Sequence, residues 1–141
     1  MSEAMPLDED RLLELLEESR RRERSQTRFY RRLAAEAEVR GDAETAERMN
    51  ALHADEQHHL SRLTARVLEM ERSPSEPPPE TLDVRFETWK ERAREREDEE
   101  ISWYQSLLDE PLDGETRRIV KEILASERHH RRELGGKWMP A

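Results

Sequence analysis

Read at spacings of three and four residues, the chain resolves into four apolar stripes, and each is interrupted near its middle by a glutamate. The first runs Leu12, Leu16, Ser19, Glu23, Gln26, Tyr30, Leu33 and Ala37, and the second Met49, His53, Glu56, Leu60, Leu63, Val67 and Met70. The third runs Leu82, Phe86, Trp89, Ala93, Glu97, Glu100, Tyr104 and Leu107, and the fourth Val120, Ile123, Glu127, His130 and Leu134. This spacing gathers residues on one face of an α-helix, so four amphipathic helices burying a narrow common seam are predicted. A carboxylate in such a seam is costly unless it is paired, protonated or bound to a metal. Glutamate is abundant elsewhere in the chain, so its presence in the seam needs a separate reason.

The fold class that follows is all-α, a four-helix bundle of two helical hairpins. Charged residues are 42% of the 141 and hydrophobic ones only 33%, proportions that alone would suggest disorder. Ala, Glu, Lys, Leu and Arg, however, supply 79 of the residues, the usage of long amphipathic helices. Gly41-Asp42, the Pro-rich stretch 73–79, Pro111-Leu112-Asp113-Gly114 and Gly135-Gly136 punctuate the chain. They set helices at about 8–40, 42–72, 80–109 and 114–134, hence hairpins at 8–72 and 80–134 joined by the linker 73–79, all within one domain spanning 1–141.

Several classes are excluded. With no cysteine in the sequence there is no thiolate site, cysteine nucleophile or iron–sulfur cluster. No apolar run reaches about 18 residues, and Met1 to Asp10 is acidic without an apolar segment. No membrane association is therefore expected, and a cytoplasmic location is. The formal net charge of −9 argues against nucleic-acid binding.

The two halves repeat one another. Glu23 stands seven residues before Tyr30, and Glu97 seven before Tyr104, two turns along one helical face. Each of these helices is followed by one bearing Glu-x-x-His, as Glu56 to His59 and as Glu127 to His130. The i, i+3 spacing lets carboxylate and imidazole reach a single point. Counted from the turns, each lone Glu lies level with its Glu-x-x-His to within about one helical turn. One Glu from each of two helices and Glu-x-x-His from each of the other two is the donor set of di-iron and di-manganese bundles. Four carboxylates balance two divalent cations, and oxygen with imidazole nitrogen suits iron or manganese. The plainer alternative is a metal-free structural bundle in which these acids pair with arginines across the seam.

On these segments, together with Leu33-Ala34 through Gly41 and Asp55 to Leu60, the chain resembles the rubrerythrin-like branch of the ferritin-like superfamily over about residues 8–134. The resemblance implies terminal metal ligands at Glu23 and Glu97, bridging ligands at Glu56 and Glu127, and one imidazole for each ion from His59 and His130. It further implies Glu100 as an extra carboxylate ligand from the third helix. Tyr30 and Tyr104 are expected to donate hydrogen bonds to ligand carboxylates. Without cysteine the chain looks like the erythrin bundle alone, with two metal ions, iron before manganese, and no haem or rubredoxin iron. The activity implied is reduction of hydrogen peroxide to water with electrons from an external donor protein. The alternative is ferroxidase or iron handling.

The linker poses a geometric difficulty. In a ferritin-like bundle the second and third helices run parallel, so their connection must travel roughly 45 Å along the bundle. The predicted linker, even extended, reaches about 30–35 Å. A homodimer in which hairpins are swapped between two chains is the expected resolution.

Overall fold

In the computed structural model, which describes residues 5–76, 78 and 80–135, the chain forms four α-helices and, among those residues, no strand. They are α1 (Glu9–Val39), α2 (Ala43–Glu69), α3 (Trp89–Leu108) and α4 (Gly114–Leu134), with a 3-10 turn at Phe86–Thr88 leading into α3. No helix among the described residues is long and apolar enough to cross a membrane.

Three helices start on an aspartate that accepts a backbone N–H three residues ahead. Asp8 accepts from Arg11 at 2.8 Å, Asp42 from Thr45 at 3.1 Å and Asp113 from Thr116 at 2.9 Å, each satisfying a donor that the first turn leaves open. Between α1 and α2 the chain reverses at Gly41, whose φ of +73° belongs to the left-handed region. There the amide of Gly41 donates to the Glu38 carbonyl and that of Asp42 to the Ala37 carbonyl. A Cβ at Gly41 would meet no neighbour, so Gly41→Ala isolates the backbone cost. A loss of about 1–2 kcal/mol is expected, read as a lower urea midpoint at unchanged slope.

The core consists of two apolar clusters with the acids between them. One gathers Leu16 of α1, Leu63 and Val67 of α2, Tyr104 and Leu107 of α3, and Val120 and Ile123 of α4. The other gathers Phe29, Tyr30 and Leu33 of α1, Met49 and Leu52 of α2, Trp89 and Ala93 of α3, and Leu134 of α4. Residue order along each helix then fixes direction. α1 and α4 run from the first cluster to the second, and α2 and α3 run the opposite way. The consecutive helices α2 and α3 are thus parallel, and the segment between them must traverse the bundle.

It does so within one chain, and the connection is long enough that the crossing does not require an exchange of hairpins. The third helix begins at Trp89 and not near residue 80, so the connection comprises residues 70–88. At about 3.3 Å per extended residue it reaches roughly 60 Å, ample for the crossing. Its course follows α1 from one end to the other. Arg72 pairs with Asp10, Ser75 and Glu17 are hydrogen-bonded, and Arg24 pairs with Glu76. Further along, Arg28 donates to the Glu80 carbonyl, and Arg40 pairs with Glu87 and lies over the Phe86 ring. Leu82 and Phe86 mimic the helical stripe in sequence. In the fold Val84 and Phe86 instead pack from irregular backbone and the 3-10 turn against the second apolar cluster.

Candidate metal centre

Between the two clusters lie Glu23, Glu56, Glu97 and Glu127, each with 0% of its surface exposed, together with the buried Glu100, His59 and His130. The helix periodicity that buries Leu16 and Leu33 on α1 buries Glu23 between them. On α2 and α4 the i, i+3 spacing aims carboxylate and imidazole at the same point.

These side chains form two overlapping groups. Glu23, Glu56, His59 and Glu127 each place one donor atom within 4.8 Å of the others, and so do Glu56, Glu97, Glu127 and His130. Glu56 and Glu127 belong to both. Nδ1 of His59 lies 3.2 Å from Glu56 and 3.6 Å from Glu23, while Nδ1 of His130 lies 3.1 Å from Glu127 and 3.6 Å from Glu97. The two imidazole centres are 6.3 Å apart.

Donor atoms are left over inside the seam. Oε2 of Glu23 and of Glu97, both oxygens of Glu56 and of Glu127, Oε2 of Glu100, and Nδ1 of His59 and His130 are buried without a hydrogen-bond partner. Native interiors leave only a few such atoms in a whole domain, and rarely side by side. Nearly all of these point into one small volume, and all are lone-pair donors once deprotonated, so the residues fit a pair of divalent cations.

The electrostatics lead to the same place. Burial, and then repulsion from the neighbouring carboxylates, push the Glu56 and Glu127 carboxyls well above the usual range. Burial opposes a charge on His59 and His130, but the adjacent carboxylates of Glu23 and Glu56 raise the first to about 9, and those of Asp55 and Glu97 raise the second to about 10. Glu100 is pushed up to about 8 by burial and by Glu23, against the pull of Arg22. Divalent ions would replace the protons that this crowded set of charges otherwise retains.

The tyrosines cross between hairpins. Tyr30 of α1 donates to Oε1 of Glu97 at 2.6 Å, and Tyr104 of α3 donates to Oε1 of Glu23 at 2.7 Å. Burial, followed by the nearby carboxylates, holds both phenols well above their usual pKa, so they keep the protons they donate. Glu23 has only Tyr104 on that oxygen, whereas Glu97 also receives Nε2 of Gln26 at 3.3 Å. Tyr104→Phe is therefore expected to cost more than Tyr30→Phe, by about 1 kcal/mol in thermal melts of the metal-free protein.

Two contributors have weaker sequence signals. Asp55, next to Glu56 in the chain, sits 2.9 Å from Nε2 of His130 on the opposite hairpin, fixing that ring with Nδ1 inward. Gln26 lies on the first stripe but reads in sequence as one more polar residue. Outside the centre, His58 and His129 face solvent, and a ring nitrogen of His53 lies 2.9 Å from the Thr27 carbonyl, away from both groups.

Comparison with known proteins adds family and fold. A comparison with curated proteins finds no match. Among solved structures, the bacterioferritin BfrA of Mycobacterium tuberculosis superposes with a TM-score of 0.81 at 22% identity, covering 92% of this chain and 84% of that one. A likeness at that identity establishes the ferritin-like bundle. The family model for rubrerythrin matches residues 14–135, a span holding all four helix centres and every seam acid, and the chain belongs to the rubrerythrin family.

Proposed function

We propose that this chain is a di-metal carboxylate oxidoreductase that reduces hydrogen peroxide to water. The observation that carries the reading is the pair of overlapping donor groups sharing Glu56 and Glu127, set in a seam with its lone pairs unclaimed. Iron is the preferred metal, with manganese the alternative for the same oxygen and imidazole donors.

In this reading Glu56 and Glu127, which belong to both donor groups, would serve both ions, Glu23 and Glu97 would each serve one, as would His59 and His130, and Glu100, outside both groups, is buried beside the centre. A bound ferrous pair supplies the two electrons that, with two protons, convert one hydrogen peroxide to two waters, and an external donor protein returns them. The chain contributes position and exclusion. Tyr30 and Tyr104 hold one oxygen of each terminal carboxylate, leaving the other free to turn toward an ion. Asp55 orients His130, and the two apolar clusters keep bulk water from either end of the seam. We place this activity in the cytoplasm, and a homodimer in this reading associates complete bundles and not exchanged hairpins.

The test is anaerobic Fe(II) titration followed by hydrogen peroxide. About two irons held per chain, one peroxide consumed for each ferrous pair, iron retained, and repeated turnover on adding a reductant are expected. Ferric iron accumulating well beyond the bound pair would assign the site to iron oxidation and handling. Failure to retain any metal would leave a structural bundle.

A further inference from the structure

The centre has an internal pseudo-symmetry that fails at a pair of residues beside its terminal carboxylates. Arg22 precedes Glu23 and Arg96 precedes Glu97. Arg22 lies over the Trp103 ring and Arg96 over the Phe29 ring, each at 4.7 Å, and those aromatics occupy matching places six residues after the two acids. Each arginine also reaches the residue three after the acid of the opposite helix. Arg22 lies 3.6 Å from a carboxylate oxygen of Glu100, whereas Arg96 donates to the carboxamide oxygen of Gln26 at 2.5 Å. At this matched position the halves differ, a carboxylate in one and an amide in the other, as they also do where Asp55 beside His130 is matched by Ser126.

The amide is held in one orientation. A guanidinium only donates, so Arg96 claims the oxygen of Gln26 and turns its NH2 toward Oε1 of Glu97, which already accepts from Tyr30. Gln26 is fully buried, so neither contact is exchanged for water. Oε1 of Glu97 is thus engaged twice, and Oε2 alone is left without a partner. On the other side Glu23 has one such anchor, and a fifth carboxyl, Glu100, can give up its proton to a bound cation.

We infer that Gln26, fixed by Arg96, is a positioning residue that anchors Oε1 of Glu97 a second time, where the matching oxygen of Glu23 has one anchor, and makes the two metal positions unequal. The position at Glu23 and His59, with Glu100 beside it, fills first. The position at Glu97 and His130, with a neutral neighbour and a ligand oxygen committed twice, fills second. The inference rests on the di-metal reading of the centre and concerns how the two ions differ within it. One additional carboxylate charge within a few ångströms, at the effective dielectric of a protein site, favours a divalent ion by at least roughly tenfold.

Anaerobic titration of the metal-free chain with Co(II), followed by its visible d–d absorption and by calorimetry, tests this without reference to turnover. The wild-type chain is expected to show two steps separated by at least about tenfold in affinity, each with its own spectrum. Gln26→Glu places opposite Arg96 the same group that Glu100 places opposite Arg22, and should merge the steps by strengthening the second. Glu100→Gln should merge them from the other direction by weakening the first. Because the two substitutions reach the same symmetric outcome by opposite changes, loss of packing at one site cannot imitate the result. Should Gln26→Glu fail to fold, Glu100→Gln carries the test alone. Two equal steps in the wild type, or a separation unchanged in the variants, would overturn the inference. No Co(II) uptake by the wild-type chain would overturn the di-metal reading and the inference with it.

Discussion

Saturating the metal-free chain with a divalent metal, at about a thousand times its dissociation constant, is expected to stabilise the fold by about 4 kcal/mol for each ion held and to raise the melting temperature by roughly 20 °C. The size of the effect follows from what the metal-free seam must tolerate. Four fully buried glutamates and two imidazoles crowd together with their inward atoms unpartnered. An unfolded chain offers the same groups to water at no such cost, so an ion held only by the folded state acts directly on the folding equilibrium. Glu127→Gln is the diagnostic variant, because Glu127 belongs to both donor groups. Its metal-dependent gain should fall for both ions together. Its metal-free stability should change little, since burial and the charges of Glu23 and Glu97 already keep the Glu127 carboxyl protonated and neutral. Calorimetry with metal and with chelator reads both effects. An unaltered metal response in Glu127→Gln would place the binding site elsewhere.

Leu33→Ala should lower stability by about 3 kcal/mol with or without metal. Leu33 is fully buried in the cluster formed with Phe29, Tyr30, Met49, Leu52 and Leu134, one turn beyond Tyr30 on α1. Removing its branch leaves a cavity among side chains from three helices that cannot all relax inward. The loss should leave the metal-induced gain intact, because the cluster lies to one side of the acid layer. Val39, near the end of the same helix and 83% exposed, supplies the contrast, and Val39→Ala should stay within about 0.5 kcal/mol of wild type. Chemical denaturation of both variants, metal-free and metal-loaded, measures the four values. A Leu33→Ala chain that lost its metal response would show that the cluster and the centre form one cooperative unit.

The apolar ends of the bundle pack as in any helical bundle. The middle departs from that pattern, and its departure is concentrated in residues with lone pairs directed inward.

The amino-acid sequence by itself determined the four helices and the residues of the centre, because both depend on spacing within single helices. The turn repeat of an α-helix is fixed by its backbone. Glu56 and His59 therefore share a face whatever surrounds them, as do Glu23 and Tyr30. The aspartates at the helix starts and Gly41 mark their boundaries for equally local reasons. The tertiary structure alone decided where α3 begins, because Leu82 and Phe86 keep a helical spacing while their segment is drawn out along α1 by Arg28 and Arg40. That longer crossover closes the bundle within one chain. It also sets α3 beside α1 in the direction that brings Tyr104 to Glu23, Tyr30 and Gln26 to Glu97, and Asp55 of α2 to His130 of α4. Those contacts join residues far apart in the chain, and no periodicity within a helix encodes them. Their geometry comes from the direction and height at which two hairpins meet.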